Sequence, residues 1–573
     1  MESKEKEGRK MSINKKRIYI LLIFSASLIS VFWMMSINNA FVFDDTTLLS
    51  NASLSSYDEL FSIYPSSVYL DRPIRDILIK LLYDMFGSDY VLQHVALVLV
   101  HLFNVMLVFC VTKRILLLEN ELSSDKIFVA ACITAVIFGA WPNSIMSVQW
   151  VSGNNDLMGT TFALLAFLFY LRSIEETRYK GQNIFFELFF FFLAIRSKEM
   201  FYPLPLIFLL CEIYKMVKSK KRIRLSWDCL LAIIMMIVFM AGIFYCKLKD
   251  NSITVDINEP YYQSFNPISM LVVLFKYCMI FFDLTNANMN FAFSPYGVVG
   301  LCITLLGLLV AVFLTLKRQI GLLFCYIAIG MSIVMVLPMV NQVHRLYLYF
   351  PTFFIGLTIA VVGITFFEHL EKIFLVICVG CVLAGNASGP VAFRNYWQYI
   401  GNMENSVYTQ LKAIKKPVSD SNVYIFMDEM DDYTPFYYGP GSVIKLVYQD
   451  SSLKPSLYAL DEKIEYKSPY IVLEYIDGHV NEIERDETRT LNISDVYVTK
   501  EADGSVSLGI VPEEMKETLQ IWIDNEQYTT TVGFDFISAS IPVEELDGKE
   551  NVKVTLHDEY GTISNEWVVD LSK

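Results

Sequence analysis

Apolar residues in this chain gather in repeated runs of about 15–22 positions between Arg17 and Gly389, the length a helix needs to cross hydrocarbon. Eleven runs read as spans: 17–37, 91–112, 127–142, 157–172, 184–197, 200–216, 227–247, 297–316, 320–338, 346–367 and 373–389. Ile268–Leu284 is apolar too, but Lys276 interrupts it, so it reads as interfacial or re-entrant. In the long loop from Ser36 to Tyr90, Ile74, Ile77, Leu78, Leu81, Leu82, Met85 and Phe86 recur at helical spacing, with Arg75, Asp76, Lys80 and Asp84 between them. That pattern predicts an amphipathic helix on the membrane surface.

Beyond Gly389 the pattern changes. Arg394–Leu411 reads as a helix leaving the membrane, followed by strands at Val423–Met427, Val443–Tyr448 and Ile471–Tyr475. From Glu487, short alternating runs such as Val496–Thr499, Leu519–Ile523 and Val552–Leu556 alternate with Asp-Gly and Asp-Glu turns, as in a small immunoglobulin-like β-sandwich. The expected fold is a polytopic α-helical membrane protein of about eleven transmembrane helices with an extracytoplasmic, β-rich C-terminal domain. Its parts are a cytoplasmic N-terminus (1–16), a transmembrane domain (17–389) whose external loop (38–90) carries the surface helix, a helical connector (390–419), a small α/β or β subdomain (420–486) and the sandwich (487–573).

Charge fixes the orientation. Lys10, Lys15, Lys16 and Arg17 precede the first span; Lys113 and Arg114 follow the second, Arg172 and Arg178 the fourth, the Lys215–Arg224 cluster the sixth, and Lys317 and Arg318 the eighth. All face the cytoplasm if the N-terminus does, and eleven crossings then leave the tail outside. The first span reads as retained, since no A-x-A site precedes Asp44. With 54% hydrophobic residues and a mean hydropathy of +0.42 the chain is too apolar for a soluble protein of its size. Positions 420–573 hold 32 acidic and 11 basic residues, a net −21; positions 1–419 hold 35 basic and 28 acidic, a net +7. A basic membrane part suits anionic lipid headgroups, and an acidic tail excludes nucleic acid as its partner. All ten cysteines precede the tail; Cys378 and Cys381, the one CxxC pair, read as helix packing.

Ionisable residues at a membrane are expensive and therefore candidates for function. Asp44 and Asp45 follow the first span directly; adjacent carboxylates repel, one pKa rises, and the group becomes able to take a proton from an acceptor hydroxyl. The alternative is an ordinary helix-end turn. Arg72, before Pro73 at the start of the surface helix, is suited to bind phosphate. His94 and His101 share one helix face, either at a binding site or as core histidines. Asp156 ends the polar turn Gln149–Asp156; Lys198 and Glu199, between two spans, are either site residues or a self-satisfied pair. Arg345 opens a span and suits a lipid phosphate, with snorkelling as the alternative. All of these fall on the outer side of the threading.

At these residues the chain resembles the GT-C-type membrane glycosyltransferases, and within them the protein O-mannosyltransferase-like proteins that in animals carry tetratricopeptide repeats. The resemblance spans about residues 38–400 and rests on ordered blocks: Val42-Phe43-Asp44-Asp45, Arg72-Pro73, Phe86-Gly87, His94, His101-Leu102-Phe103-Asn104, Trp141-Pro142, Val151-Ser152-Gly153-Asn154-Asn155-Asp156-Leu157, Ser197-Lys198-Glu199, Arg345-Leu346-Tyr347-Leu348-Tyr349-Phe350-Pro351 and Arg394-Asn395-Tyr396-Trp397. It implies a GT-C-like domain that transfers sugar from a polyprenyl-phosphate donor on the extracytoplasmic face. Asp44 or Asp45 would act as base or orient the acceptor, and Arg72, Lys198 and Arg345 would steady the departing phosphate. A divalent metal, magnesium or manganese, is a cofactor on which such relatives differ. The sequence departs from that family with His344 in place of an acidic residue, Asn154 in place of arginine, and no 34-residue helical period in the tail. The acceptor is thus left as a glycan, lipid or protein. Two other readings are a flippase for a lipid-linked glycan and a non-catalytic scaffold. A transporter calls for broken helices or polar groups at mid-membrane in repeated halves, whereas here the charges cluster at helix ends.

Overall fold

The computed structural model describes residues 11–571 apart from 35–40, 64–71, 119–121, 176–177, 220–225, 250–258, 260–261, 287–289, 317–318, 428–435, 437–440, 461, 463, 465, 484–492, 502, 513–518, 533–535, 547–548 and 558–563. Lys10, Lys220, Lys221, Arg222, Arg224, Lys317 and Arg318, all used above to orient the chain, lie outside the described residues. The chain divides into two compact units, 1–483 and 484–573.

The first unit opens with α1 (Ile13–Met34), then α2 (Asp45–Leu54), the short α3 (Tyr57–Leu60), α4 (Pro73–Phe86) and α5 (Tyr90–Leu117). Starts are set locally: Pro73 needs no hydrogen-bonded N–H in a first turn, and Asp89 caps α5 by accepting from the Leu92 amide at 3.0 Å. A helix α4 thus stands where the amphipathic pattern placed one; it buries Ile74, Arg75, Ile79 and Lys80 and packs on α2 and α9 (Lys180–Ser197). Next come α6 (Ser124–Ala140), α7 (Pro142–Gln149) and α8 (Asn154–Glu175). Every residue of α6 from Ile127 to Ala140 is buried; its Ala130, Ala131, Ala135, Gly139 and Ala140 let α1, α5, α15 (Tyr349–Phe366) and α16 (Leu370–Ala384) approach closely. A Cβ on Gly139 would lie 2.2 Å from the Ser27 Oγ of α1. Pro142 interrupts the hydrogen-bond ladder, and α7 leaves α6 at 58°.

The remaining helices are α10 (Leu204–Ser219), α11 (Trp227–Lys249), α12 (Pro267–Phe282), α13 (Pro295–Leu316), α14 (Gly321–Ile333) and, after α16, α17 (Ser388–Ala413). Helices form at all eleven expected positions. Among the described residues, however, seven are long and apolar enough to cross a membrane, or nine if two bent pairs count as one span each. The difference has a physical cause: α14 is only 13 residues long, and α9 carries Lys180, Glu187 and Arg196 within 18 residues. The Ile268–Leu284 run forms α12, whose 16 residues reach about 24 Å. Outward-facing apolar side chains such as Val299, Leu306, Leu309 and Leu316 of α13 are exposed, as lipid-facing positions should be.

Ion pairs mark one end of this bundle. Lys15 pairs with Glu371, Lys16 with Asp125 at 2.9 Å, and Arg114 with Glu175. These join the N-terminal ends of α1, α6 and α16, and the C-terminal ends of α5 and α8. The opposite end gathers the C-terminus of α1, the N-termini of α5, α8 and α10, and the C-terminus of α9.

A small α/β layer follows α17: β1 (Asn422–Met427), α18 (Ser442–Tyr448), β2 (Lys454–Ala459), β3 (Tyr470–Ile476) and β4 (His479–Glu482). Its sheet runs β2-β1-β3-β4, with β1 parallel to both neighbours. Val443–Tyr448, expected as a strand, is therefore helix: β1 and β2 are parallel, and a parallel connection needs a crossover. Gly441 and Gln449, both at positive φ, bracket α18. Val443, Ile444, Val407 and Leu411 fill the core under the sheet, and α18 rests on α2.

The second unit is a β-sandwich. One sheet orders β5 (Ile493–Lys500), β6 (Val506–Pro512), β10 (Ile537–Ile541) and β9 (Thr531–Val532); the other orders β12 (Trp567–Asp570), β11 (Asn551–His557), β7 (Gln520–Ile523) and β8 (Glu526–Tyr528). Leu508, Ile510 and Ile537 of one sheet and Ile521, Val554 and Leu556 of the other share one core.

Candidate functional site

Asp44 and Asp45 stand at the start of α2, and the structure gives them different work. Asp45 is 1% exposed. Its Oδ2 accepts from the Val42 amide at 3.0 Å; its Oδ1 accepts from the Ser152 amide at 2.7 Å and from the Ser152 hydroxyl. Asp45 thereby ties the loop after α1 to the turn before α8. Asp44 is only half-buried as a residue, but its Oδ1 is buried and has no hydrogen bond among the described residues. Phe43 between them and Val42 holds φ +54, an uncommon conformation for a side chain this large, and one costing about 1–3 kcal/mol. Packing of its ring against Trp150 and Trp397, at 6.1 and 5.5 Å, supports it. Burial, then the neighbouring Asp44 carboxylate, pushes Asp45 up to about 7. Burial also raises Asp44, opposed by Ser152, Arg75 and Arg72. Two adjacent carboxyls raised above their ordinary range, one anchored and the other with an oxygen left unbonded, are suited to general-base chemistry.

Beside it lie two ion pairs. Arg72 grips Glu199 with two bonds, Nε to Oε1 at 3.1 Å and Nη2 to Oε2 at 2.9 Å. Lys198 pairs with Asp156 at 2.5 Å and sits 4.7 Å above the Tyr347 ring. Lys198 and Glu199 are thus not partners of each other: Lys198 extends the chain between α9 and the turn that follows, so successive side chains diverge. Lys198 and Asp156 are both buried, whereas the Arg72 and Glu199 side chains keep 25% and 32% exposure. Burial alone would lower the Arg72 pKa, but Glu199 holds it above its ordinary value.

The other sequence candidates go elsewhere. His94 sets its ring nitrogens against the Tyr90 and Gln149 carbonyls at 2.7 and 2.9 Å. His101 lies between the Tyr349 hydroxyl at 2.9 Å and the Gly139 carbonyl at 3.1 Å, and Asn104 donates to both Tyr349 Oη and the Leu157 carbonyl. Both histidines join helices inside the bundle. Arg345 closes the C-terminus of α12: Nη1 donates to the Ile280 and Asp283 carbonyls and to Asn143 Oδ1, and Nη2 to the Asn286 carbonyl. A guanidinium there satisfies carbonyls that a helix end leaves open. Tyr349→Phe strips His101 and Asn104 of a buried partner. It is expected to cost about 1–3 kcal/mol, read as a lower unfolding midpoint of purified protein. An unchanged midpoint would take this network out of the stability of the fold.

Among the described residues no three His, Cys, Asp or Glu side chains converge as a zinc site would need. Magnesium or manganese asks for less, one or two carboxylates beside substrate phosphates; the Asp45, Asp156 and Glu199 carboxylates already serve protein partners, so Asp44 is the carboxylate here that could supply such a ligand.

No family model matches this chain, and no curated protein matches it. Among solved structures it is similar to the oligosaccharyltransferase of Archaeoglobus fulgidus in its apo form, at 12% identity and a TM-score of 0.44. The match covers 78% of this chain and 65% of that one, so the chain spans less than two thirds of its length.

Sequence reasoning gave no role of its own to Ser152, which anchors Asp45, or to Asp283 and Asn143, which help fix Arg345. The only advance signal was that Ser152 and Asn143 sit in a turn unusually polar for a helix reversal. Trp397 stood in a resemblance block, but nothing in the sequence told that its indole nitrogen and that of Trp150 are buried, each without a hydrogen-bond partner among the described residues.

Proposed function

We propose that this chain is an integral membrane glycosyltransferase that transfers a sugar from a polyprenyl-phosphate donor to an extracytoplasmic acceptor. The observation that carries the reading is the half-buried Asp44 carboxylate, whose Oδ1 has no hydrogen bond among the described residues, next to an anchored Asp45 and within the electrostatic reach of Arg72 and Arg75. The resemblance in the Val42–Asp45 block supplies the reaction class. Asp44 takes the proton of an acceptor hydroxyl as its oxygen attacks the anomeric carbon; the bond from that carbon to the phosphate oxygen breaks, and its electron pair leaves with the lipid phosphate. Arg72, whose Nη1 has no hydrogen bond among the described residues, and Lys198 meet the growing negative charge. The loops carrying Asp44, Arg72, Asp156 and Lys198 face the outside of the cytoplasm in this reading, in keeping with the positive charges at the Lys16 end.

Full-length protein in lipid nanodiscs, given a radiolabelled polyprenyl-phosphate sugar and acceptor glycans, should release polyprenyl phosphate as the label moves to the acceptor. Movement of intact sugar-lipid between leaflets without cleavage would replace the transferase with a flippase. The pH profile is a further expectation. The base works ionised, and burial holds Asp44 above its ordinary value, so transfer should fall on an acid limb that lies above the usual carboxylate range. An acid limb near about pH 4, the usual carboxylate range, would take this pair out of the rate law. Stability should move the other way: Asp45's folded pKa lies above its ordinary 3.8, so protonation favours the fold, and this contribution is lost as pH rises through about 7.

A further inference from the structure

One face of α17 carries Glu404, Asn405, Tyr408, Thr409 and Lys412, at the spacing of a single helical stripe. This stripe walls a cavity of about 250 Å³ that Phe41, Thr46 of α2, Ser88 and Tyr90 at the head of α5, and Val443 of α18 line on its other sides. Glu404 is 5% exposed and has no hydrogen-bond partner among the described residues; the charged group close enough to act on it is Asp45. A buried carboxyl left without a partner costs free energy that a ligand can recover. The surrounding chemistry says which ligand. Tyr90 stands edge-on to Phe41 at 6.3 Å, and Lys412 rests 4.3 Å over the Tyr408 ring. Aromatic faces suit the C–H faces of a pyranose, while a carboxyl, an amide, a hydroxyl and an ammonium suit its ring of hydroxyls. The volume lies just below the range usual for drug-sized ligands and is of the order of one sugar ring. Thr46, on the cavity wall, follows Asp45 directly in α2.

We propose that this cavity binds a sugar ring of a glycan acceptor, one turn away from the reacting hydroxyl. The word "acceptor" rests on the transferase reading; the binding of sugar does not. Held there, the remote ring orients the hydroxyl presented to Asp44.

The test uses full-length protein in nanodiscs and saturation-transfer NMR with disaccharides of glucose, galactose, mannose and N-acetylglucosamine. At least one should bind the wild-type chain. Glu404→Leu should weaken that binding at least about tenfold, Glu404→Gln should largely retain it, and Asp44→Asn should leave it unchanged. Tyr408→Ala, which alters a half-buried side chain, should weaken binding as well and stands in if Glu404→Leu does not fold. Absence of binding by every disaccharide, or equal binding by wild type, Glu404→Leu and Tyr408→Ala, would overturn the proposal. Disaccharide binding by a wild-type chain that never releases polyprenyl phosphate from the donor would instead overturn the transferase reading and leave the sugar site standing.

Discussion

Asp44→Asn should lower sugar transfer by about 10²–10⁴-fold, the usual share of a general base, while the protein still folds and inserts. The side chain keeps its shape, and the anchoring contacts belong to Asp45. Asp45→Asn should behave differently. The amide keeps one carbonyl oxygen for Ser152 but turns an NH₂ group toward the Val42 amide, so the loop loosens and the unfolding midpoint falls together with activity. Rates measured beside melting curves separate the two: a base changes rate alone, an anchor changes both. Equal rates for wild type and Asp44→Asn would remove Asp44 from the mechanism.

The second large effect is expected at Lys198. Lys198→Met leaves the Asp156 carboxylate, 1% exposed, without its cation. Removing one partner of a buried pair costs about 3–5 kcal/mol, whereas replacing both is often neutral. Lys198→Met should therefore melt far earlier than wild type, and Lys198→Met combined with Asp156→Leu should recover most of the loss. Arg72→Gln breaks the more exposed pair and should cost only about 0–1 kcal/mol. Transfer is the second readout. If Lys198 also meets the departing phosphate, the stabilised double variant stays slow; full recovery of rate would make the pair purely structural.

The helices were legible because apolar runs at a span's length have few other uses in a folded chain. Val443–Tyr448 was not, since a short apolar run serves a buried strand or a helix equally well; only the parallel pairing of β1 with β2 decides it. The site was legible as a collection of costly charges, and not as a set of partnerships. Nothing in Lys198-Glu199 tells that the two side chains seek Asp156 and Arg72, residues 42 and 127 positions away. Arg345 is illegible for a similar reason: the carbonyls it meets belong to a helix that ends more than sixty residues earlier. The division of labour between Asp44 and Asp45 depends on Ser152, 107 positions beyond Asp45.

The two ion pairs have a consequence for selectivity. With Arg72 matched by Glu199 and Lys198 by Asp156, the resting site is electrically quiet, and a dissolved anion such as chloride or inorganic phosphate meets no surplus charge that would draw it in. A phosphate must compete with a carboxylate already in place. A headgroup confined to the bilayer surface has the advantage there, because its tail keeps it at high local concentration beside the pairs. If the chain is the transferase proposed above, the pairs would act as a filter that admits an anion by its anchorage in the membrane rather than by its charge alone.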